Sequence, residues 1–227
     1  MNLKKISIAI DGPAGSGKST IAKMISKELN ILYIDTGAMY RGFAYYLLKK
    51  GIDTKGEKEI LSQLDSLEME VVFEDGHQNI FINDKNITSK LRTPEVSIGA
   101  SNVAMHLCVR EKLVKLQRKI AGENGVIMDG RDIGSHVLPN AQLKIYLNAS
   151  IEERAKRRFN ESYSKESVNL DEIKKSIQVR DENDRNRENS PLKKVADAVE
   201  IDTSNLSIGE VADKIINLYK TIEIGNE

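Results

Sequence analysis

Two hydrophobic periods take turns along this chain. Ile6, Ile8 and Ile10 alternate with Ser7 and Ala9, a period of two that predicts a buried strand. Ile21, Ile25 and Leu29 then recur at helical spacing, so a helix starts near Lys18. Residues 31–35 predict a second strand, and Thr36-Gly37 lead into a helix that runs to about Lys50 and is closed by Gly51. A short helix is expected over 55–67. Short strands follow at 68–74, 79–83 and 86–88, joined by turn-like Asp75-Gly76 and Asp84-Lys85. They are close-spaced, so they should pair antiparallel as a small insert over 63–95.

After the insert the strand–helix alternation resumes. Thr93-Pro94 opens a helical region that contains Ser101, and a second helix begins near Leu107. Val109, Leu113, Leu116 and Ile120 form its expected buried stripe, Arg110 lies off it, and Gly122 and Gly125 break the helix. Strands are expected at 126–129, 143–148 and 198–201. Ser150 with Glu153, Asn169 with Glu172 and Ser207 with Glu210 mark three helix starts. The last helix should bury Ile208, Val211, Ile215 and Leu218. The expected fold is therefore α/β, a three-layer arrangement with a parallel core sheet and a small antiparallel β insert.

Chemistry enters between the first strand and the first helix. Gly12, Pro13, Ala14, Gly15, Ser16, Gly17, Lys18 and Ser19 fit the phosphate-binding P-loop G-x-x-x-x-G-K-[ST], with Thr20 next, in the strand–turn–helix context the motif requires. Glycines let backbone N–H groups turn toward a polyphosphate, and the helix N-terminus adds free donors. Lys18 can reach the outer phosphates and the Ser19 hydroxyl can hold Mg²⁺. The strand at 126–129 ends in Asp129, the usual form of the second P-loop element.

Composition narrows the partners. The chain has 227 residues, enough for one sizeable core plus a small insert. Lys+Arg and Asp+Glu are both 34, so no global field favours nucleic acid or an anionic membrane. Cys108 is the single cysteine, which excludes an internal disulfide or a thiolate cluster; a buried structural thiol is expected. No apolar run is long enough to span a membrane, and the N-terminus shows no apolar signal region. A cytoplasmic protein is expected. With no apolar interface stripe left over, so is a monomer. His77, His106 and His136 read as surface or packing residues.

Anion binding must then come from local arginines. Arg41 sits in the first turn of the element after the second strand, beside Tyr40. Arg131 follows Asp129-Gly130. Arg154, Arg157 and Arg158 share one helix face, as do Arg180, Asp184 and Arg187 farther on, with polar residues 160–168 between them. These two helices, 151–189, read as a lid over phosphates, on a core made of 1–62, 96–150 and 190–227. So much positive charge exceeds the need of one nucleoside triphosphate and fits two phosphate-bearing substrates held end to end. The competing readings are another small-molecule P-loop kinase and a nucleotide-binding regulator whose arginine helices bind RNA.

Four segments carry a resemblance. Ile10-Asp-Gly-Pro-Ala-Gly-Ser-Gly-Lys-Ser-Thr20, Asp35-Thr-Gly-Ala-Met-Tyr-Arg41, Asp129-Gly-Arg-Asp-Ile-Gly134 and Arg180-Asp-Glu-Asn-Asp-Arg-Asn-Arg187 together resemble the bacterial cytidylate kinases, in order and spacing, from about residue 5 to 220. The P-loop is widely shared; the second and third segments are far more specific. The insert at 63–95 resembles that family's enlarged monophosphate-binding domain. The resemblance implies transfer of a phosphoryl group from ATP to CMP or dCMP, with Mg²⁺. It implies that residues 12–20 bind ATP and that Arg154, Arg157 and Arg158 close on its phosphates. It further implies that Arg41, Arg131 and Arg187 hold the acceptor phosphate, near Thr36 and Tyr40. Ser101, Arg110 and Asp132 would read the cytosine edge, and Arg180 and Asp184 would meet the ribose. Catalysis would rest on Lys18, Arg131, Arg157 and Arg158. Thr36 stands where many members have serine and keeps the hydroxyl; Ala14 lacks the hydroxyl that some members have there.

Overall fold

The computed structural model describes residues 6–74, 76–161 and 169–224. They form two compact units, one from the described parts of Met1–Ile31 and Gly125–Glu227, the other Leu32–Asn124.

In the first unit, β1 (Ser7–Asp11) lies between β6 (Val126–Gly130) and β7 (Leu143–Asn148), and β7 is followed by β8 (Val199–Asp202), every pair parallel. Ile8, Ala9, Ile10, Ile127, Met128 and Leu147 are wholly buried, which explains why these strands carry apolar residues on both faces. Helices α1 (Lys18–Leu29) and α8 (Ile208–Ile224) pack together beside this sheet. The start of α8 is a reciprocal capping box: Glu210 N–H donates to Ser207 Oγ, and Ser207 N–H donates to the Glu210 carboxylate. Its buried face is Val211, Ala212, Ile215, Ile216 and Tyr219; Ile208, expected inside, is exposed in the first turn. Helices α6 (Ile151–Glu161) and α7 (Leu170–Asn186) pack on each other. Ser150 and Asn169 cap them through Glu153 N–H and Asp171 N–H. The expected polar joint between them falls largely on 162–168, outside the described residues. The segment after β6 contains a π-helical turn, Ile133–Val137.

The second unit holds β2 (Leu32–Asp35), α2 (Thr36–Lys49), α3 (Glu57–Gln63), an antiparallel sheet, α4 (Pro94–Val103) and α5 (Leu107–Glu123). The sheet runs β3 (Met69–Glu74), β4 (His77–Ile82), β5 (Lys85–Asn86) in that order. Its second turn is Asn83-Asp84, not Asp84-Lys85. Both residues have positive φ, 46° and 63°, as a two-residue hairpin loop with the twist of its strands demands. That shift pulls β5 forward, and Thr88, expected in the strand, begins a 3₁₀ turn instead, its hydroxyl accepting from Ile80 N–H. The face of α2 at Gly42 packs so closely on the sheet that a Cβ there would meet Ile80 at 3.0 Å.

The buried side of α5 is rotated from the expected stripe. Val109, Arg110, Leu113, Val114, Gln117 and Ala121 are buried, while Leu116 and Ile120 are half-buried. Cys108, expected to be buried, is only partly so. Among the described residues no helix is long and apolar enough to cross a membrane.

Candidate active site

The P-loop is built as an anion cradle. Gly12, Gly15 and Gly17 all take positive φ, 150°, 79° and 88°. At Gly12 a Cβ would also sit 2.0 Å from Leu147 O, so only glycine lets β1 turn against β7 here. Gly17 caps α1 without any side-chain hydrogen bond, and the first turn of α1 carries no acidic residue. Neither the cap nor an acidic side chain of the helix's own first turn therefore satisfies its leading N–H groups and the positive end of its dipole.

Lys18 is buried with its ammonium 2.7 Å from Pro13 O and 3.4 Å from Ser16 Oγ. Burial, then the charges of Arg131 and Arg180, hold its pKa well below the usual lysine value; Asp129 and Asp184 act the other way. A polyphosphate on the loop would relieve that deficit. Ser19 Oγ donates to Asp129 Oδ2 at 2.8 Å, so the two groups expected near magnesium meet. Both are hard oxygen donors. Mg²⁺ holds few protein ligands and completes its octahedron with waters and phosphate oxygens, so this pair fits it.

The segment after β6 is anchored from beneath. Asp11, the last residue of β1, accepts from Ile133 N–H and Gly134 N–H, each at 2.8 Å. Burial pushes this carboxyl up to about 6; the two hydrogen bonds resist the rise, Asp132 adds to it and Lys18 opposes it. Just before the clamp, Arg131 and Asp132 meet α7. Arg131 Nε donates to Asp184 Oδ2 at 2.7 Å, and Arg187 Nη2 donates to Asp132 Oδ1 at 3.2 Å. For Asp184, burial favours the neutral acid, but Arg131 and Arg180 outweigh it and hold the carboxyl below its usual range. For Arg131 burial is likewise overcome by Asp184, and its pKa is raised. Arg180 is half-buried on the same helix. Arg187, expected in the helix, is its C-cap, with Nε donating to Ser190 O at 2.6 Å.

The three arginines of α6 do not behave alike. Arg154 is buried. Its guanidinium donates to Ala149 O at 3.0 Å, to Ala14 O of the P-loop at 3.2 Å and to Asp181 of α7 at 2.6 Å. Arg157 is half-buried and donates to Thr203 O at 2.7 Å and to Thr203 Oγ1 at 3.0 Å, with Glu153 beside it. Thr203 in turn donates to Ser16 O at 3.3 Å, which ties the end of β8 to the loop. Arg158 is exposed.

In the second unit, Asp35 opens α2. Its Oδ1 accepts from Ala38 N–H and its Oδ2 from Arg41 Nη2, both at 2.8 Å. Arg41 Nε is buried without a hydrogen bond, so donor capacity remains. Thr36 is buried at the first position of the helix and Ser101 is half-buried on α4. Arg110 is 1% exposed. Read by spacing alone it would be a solvated charge. Its guanidinium instead stacks 5.8 Å from the Tyr40 ring centroid, and Nη1 donates to Ala104 O at 3.4 Å.

Hydrophobic periodicity did not flag Asp11, Asp35, Asp181, Thr203 or Gln78 as site residues. Asp11 had one usable signal: a carboxylate ending an apolar strand just before a P-loop has no solvent to face. Among the described residues, no cluster of three or more histidine, cysteine, aspartate or glutamate side chains could hold a metal by itself.

Comparison with known proteins identifies the family. The family model described as cytidylate kinase matches residues 8–221. The cytidylate kinase of Caldicellulosiruptor bescii is 49% identical over 223 residues, 97% of this chain and 99% of that one. The cytidylate kinase of Bacillus subtilis is 49% identical over 214 residues, 94% of this chain and 96% of that one. Among solved structures, an uncharacterised protein from Eubacterium ventriosum superimposes with a TM-score of 0.52 at 16% identity, covering 96% of this chain and 99% of that chain, a likeness of fold. The specific segments around Arg41 and Arg131 and a family match spanning nearly every element described above lead to one assignment: this chain belongs to the cytidylate kinase family.

Proposed function

We propose that the protein transfers the γ-phosphoryl group of ATP to CMP or dCMP, giving ADP and CDP or dCDP. The observation that carries the reading is the pairing of an uncapped, acid-free α1 N-terminus holding buried Lys18 with a reciprocally paired arginine–aspartate cluster in the same unit.

In this reading the N–H groups of residues 12–20 and the Lys18 ammonium hold the ATP phosphates. Arg157 and Arg158 approach them from α6, and Arg154 braces the loop through Ala14 O. Ser19 and Asp129 are the protein groups that would hold Mg²⁺, which would neutralise charge between the outer phosphates. Arg41, Arg131 and Arg187 bind the acceptor phosphate, beside Thr36 and Tyr40. Ser101, Arg110 and Asp132 read cytosine, and Arg180 and Asp184 meet the ribose. The acceptor phosphate takes Arg131 from Asp184, which frees that carboxylate for a sugar hydroxyl. No strong general base is needed, because a phosphate monoester with its second pKa near ~6 is largely dianionic at neutral pH. Lys18 and the arginines stabilise charge on the group in flight and align the two substrates. The protein is proposed to work as a cytoplasmic monomer, without nucleic acid.

The test is an ADP-release assay with CMP, dCMP, UMP and AMP as acceptors. CMP and dCMP should turn over rapidly and AMP should not. Equal rates with AMP would reject the cytosine reading.

A further inference from the structure

The antiparallel sheet has no chemistry of its own in this account, yet one of its side chains reaches the acceptor-phosphate residue by two steps. Gln78, on β4, is half-buried, and its amide uses both ends on a single residue. Oε1 accepts from Asp35 N–H at 2.7 Å, and Nε2 donates to Asp35 O at 3.2 Å. Only one orientation of the amide satisfies both bonds, so the side chain has a defined direction. It stands in for a strand partner at the carboxyl end of β2, where ligands gather in α/β sheets.

Asp35 is the residue whose two oxygens cap α2 and hold Arg41. The α2 face at Gly42 is seated on Ile80, two residues along the same strand as Gln78. We propose that Gln78 is a positioning residue for the acceptor phosphate: it fixes the Asp35 backbone, and through the Asp35 carboxylate it fixes the direction of the Arg41 guanidinium. This rests on the reading of Arg41 as a phosphate ligand. It also gives the sheet a task, which is to hold that arginine in place before the acceptor arrives.

The physical case is one of preorganisation. Arg41 pairs with Asp35 through Nη2 alone, and its side chain is about a quarter exposed, so the pair by itself does not lock a long flexible side chain. Locking the carboxylate removes freedom that phosphate binding would otherwise have to remove. Loss of two backbone hydrogen bonds of ordinary strength should weaken CMP binding by roughly tenfold.

The test compares wild type, Gln78→Met, Arg41→Ala and the double variant by steady-state kinetics. Methionine keeps the length and the apolar stem but neither hydrogen bond. Gln78→Met should raise KM for CMP roughly tenfold and leave KM for ATP within about twofold. In the Arg41→Ala background the same change should add nothing, because the group it positions is gone. An unchanged KM for CMP in Gln78→Met overturns the proposal, and so does a full, additive effect in the double variant. Should Gln78→Met fold too poorly to assay, Gln78→Glu serves: it keeps the acceptor and loses the donor, so KM for CMP must still rise. If Arg41→Ala alone leaves KM for CMP unchanged, the reading of Arg41 fails, separately from any result at Gln78.

Discussion

Burial and the Arg131 guanidinium both weigh against the Lys18 ammonium, so the free protein keeps this side chain where its charge is least favoured. Removing it should therefore not harm the fold. Lys18→Ala should retain the wild-type circular dichroism and thermal midpoint while transfer falls by about three orders of magnitude or more; near-normal turnover would contradict the P-loop assignment. Asp11 makes a different prediction. Its carboxyl rises from 3.8 to about 6 on folding. The folded state then holds a proton that the unfolded chain has released, so stability falls as pH rises through that window. Relative to Asp11→Asn, wild type should lose about 2 kcal/mol of unfolding free energy between pH 4 and pH 7. A difference that does not vary with pH would mean that Asp11 is ionised in the fold throughout. Neither effect is written in a hydrophobic pattern, because each comes from what the fold packs around the residue.

At the scale of elements, α7 is the best example of what spacing can and cannot reveal. Periodicity placed Arg180, Asp184 and Arg187 on one face, and two of those do meet the segment after β6. It missed Asp181, which pairs with buried Arg154 and so joins α7 to α6 beneath the P-loop. Its charge resembles that of its solvated neighbours, and nothing local marks it as buried. Asp181→Ala should leave the Arg154 charge buried without its carboxylate and cost about 3 kcal/mol in chemical denaturation. Glu200→Ala, which breaks the exposed Lys194–Glu200 pair, should cost less than about 1 kcal/mol. Equal losses would show that the buried pair is no more than a surface contact. On α5 the apolar count gave the right helix and part of its buried face, Val109 and Leu113, but missed Arg110 and Gln117, which are buried although a hydrophobic pattern scores both as exposed. The strands of the core were readable for the opposite reason: parallel strands covered on both faces must be apolar almost throughout.

For the whole molecule, the strand–helix alternation and the P-loop were legible, and so was the antiparallel interruption. The segments around Arg41 and Arg131 carried the resemblance to the family. Geometry adds a division of labour: the first unit contains the P-loop and the paired Arg131–Asp184 and Asp132–Arg187, and the second holds Arg41 against Asp35 and Arg110 against Tyr40. Asp132→Ala should accordingly raise KM for CMP well above any change in KM for ATP, read from initial rates at varied concentrations of each; unchanged CMP affinity would remove Asp132 from the base site. The most direct measurement is a competition with ATP labelled on its γ-phosphate, offered to CMP and AMP together at equal concentration. The label should pass into CDP, with little in the β-position of ADP and little in inorganic phosphate. Label shared evenly between the two acceptors, or released to water, would contradict a kinase built to bring CMP to ATP.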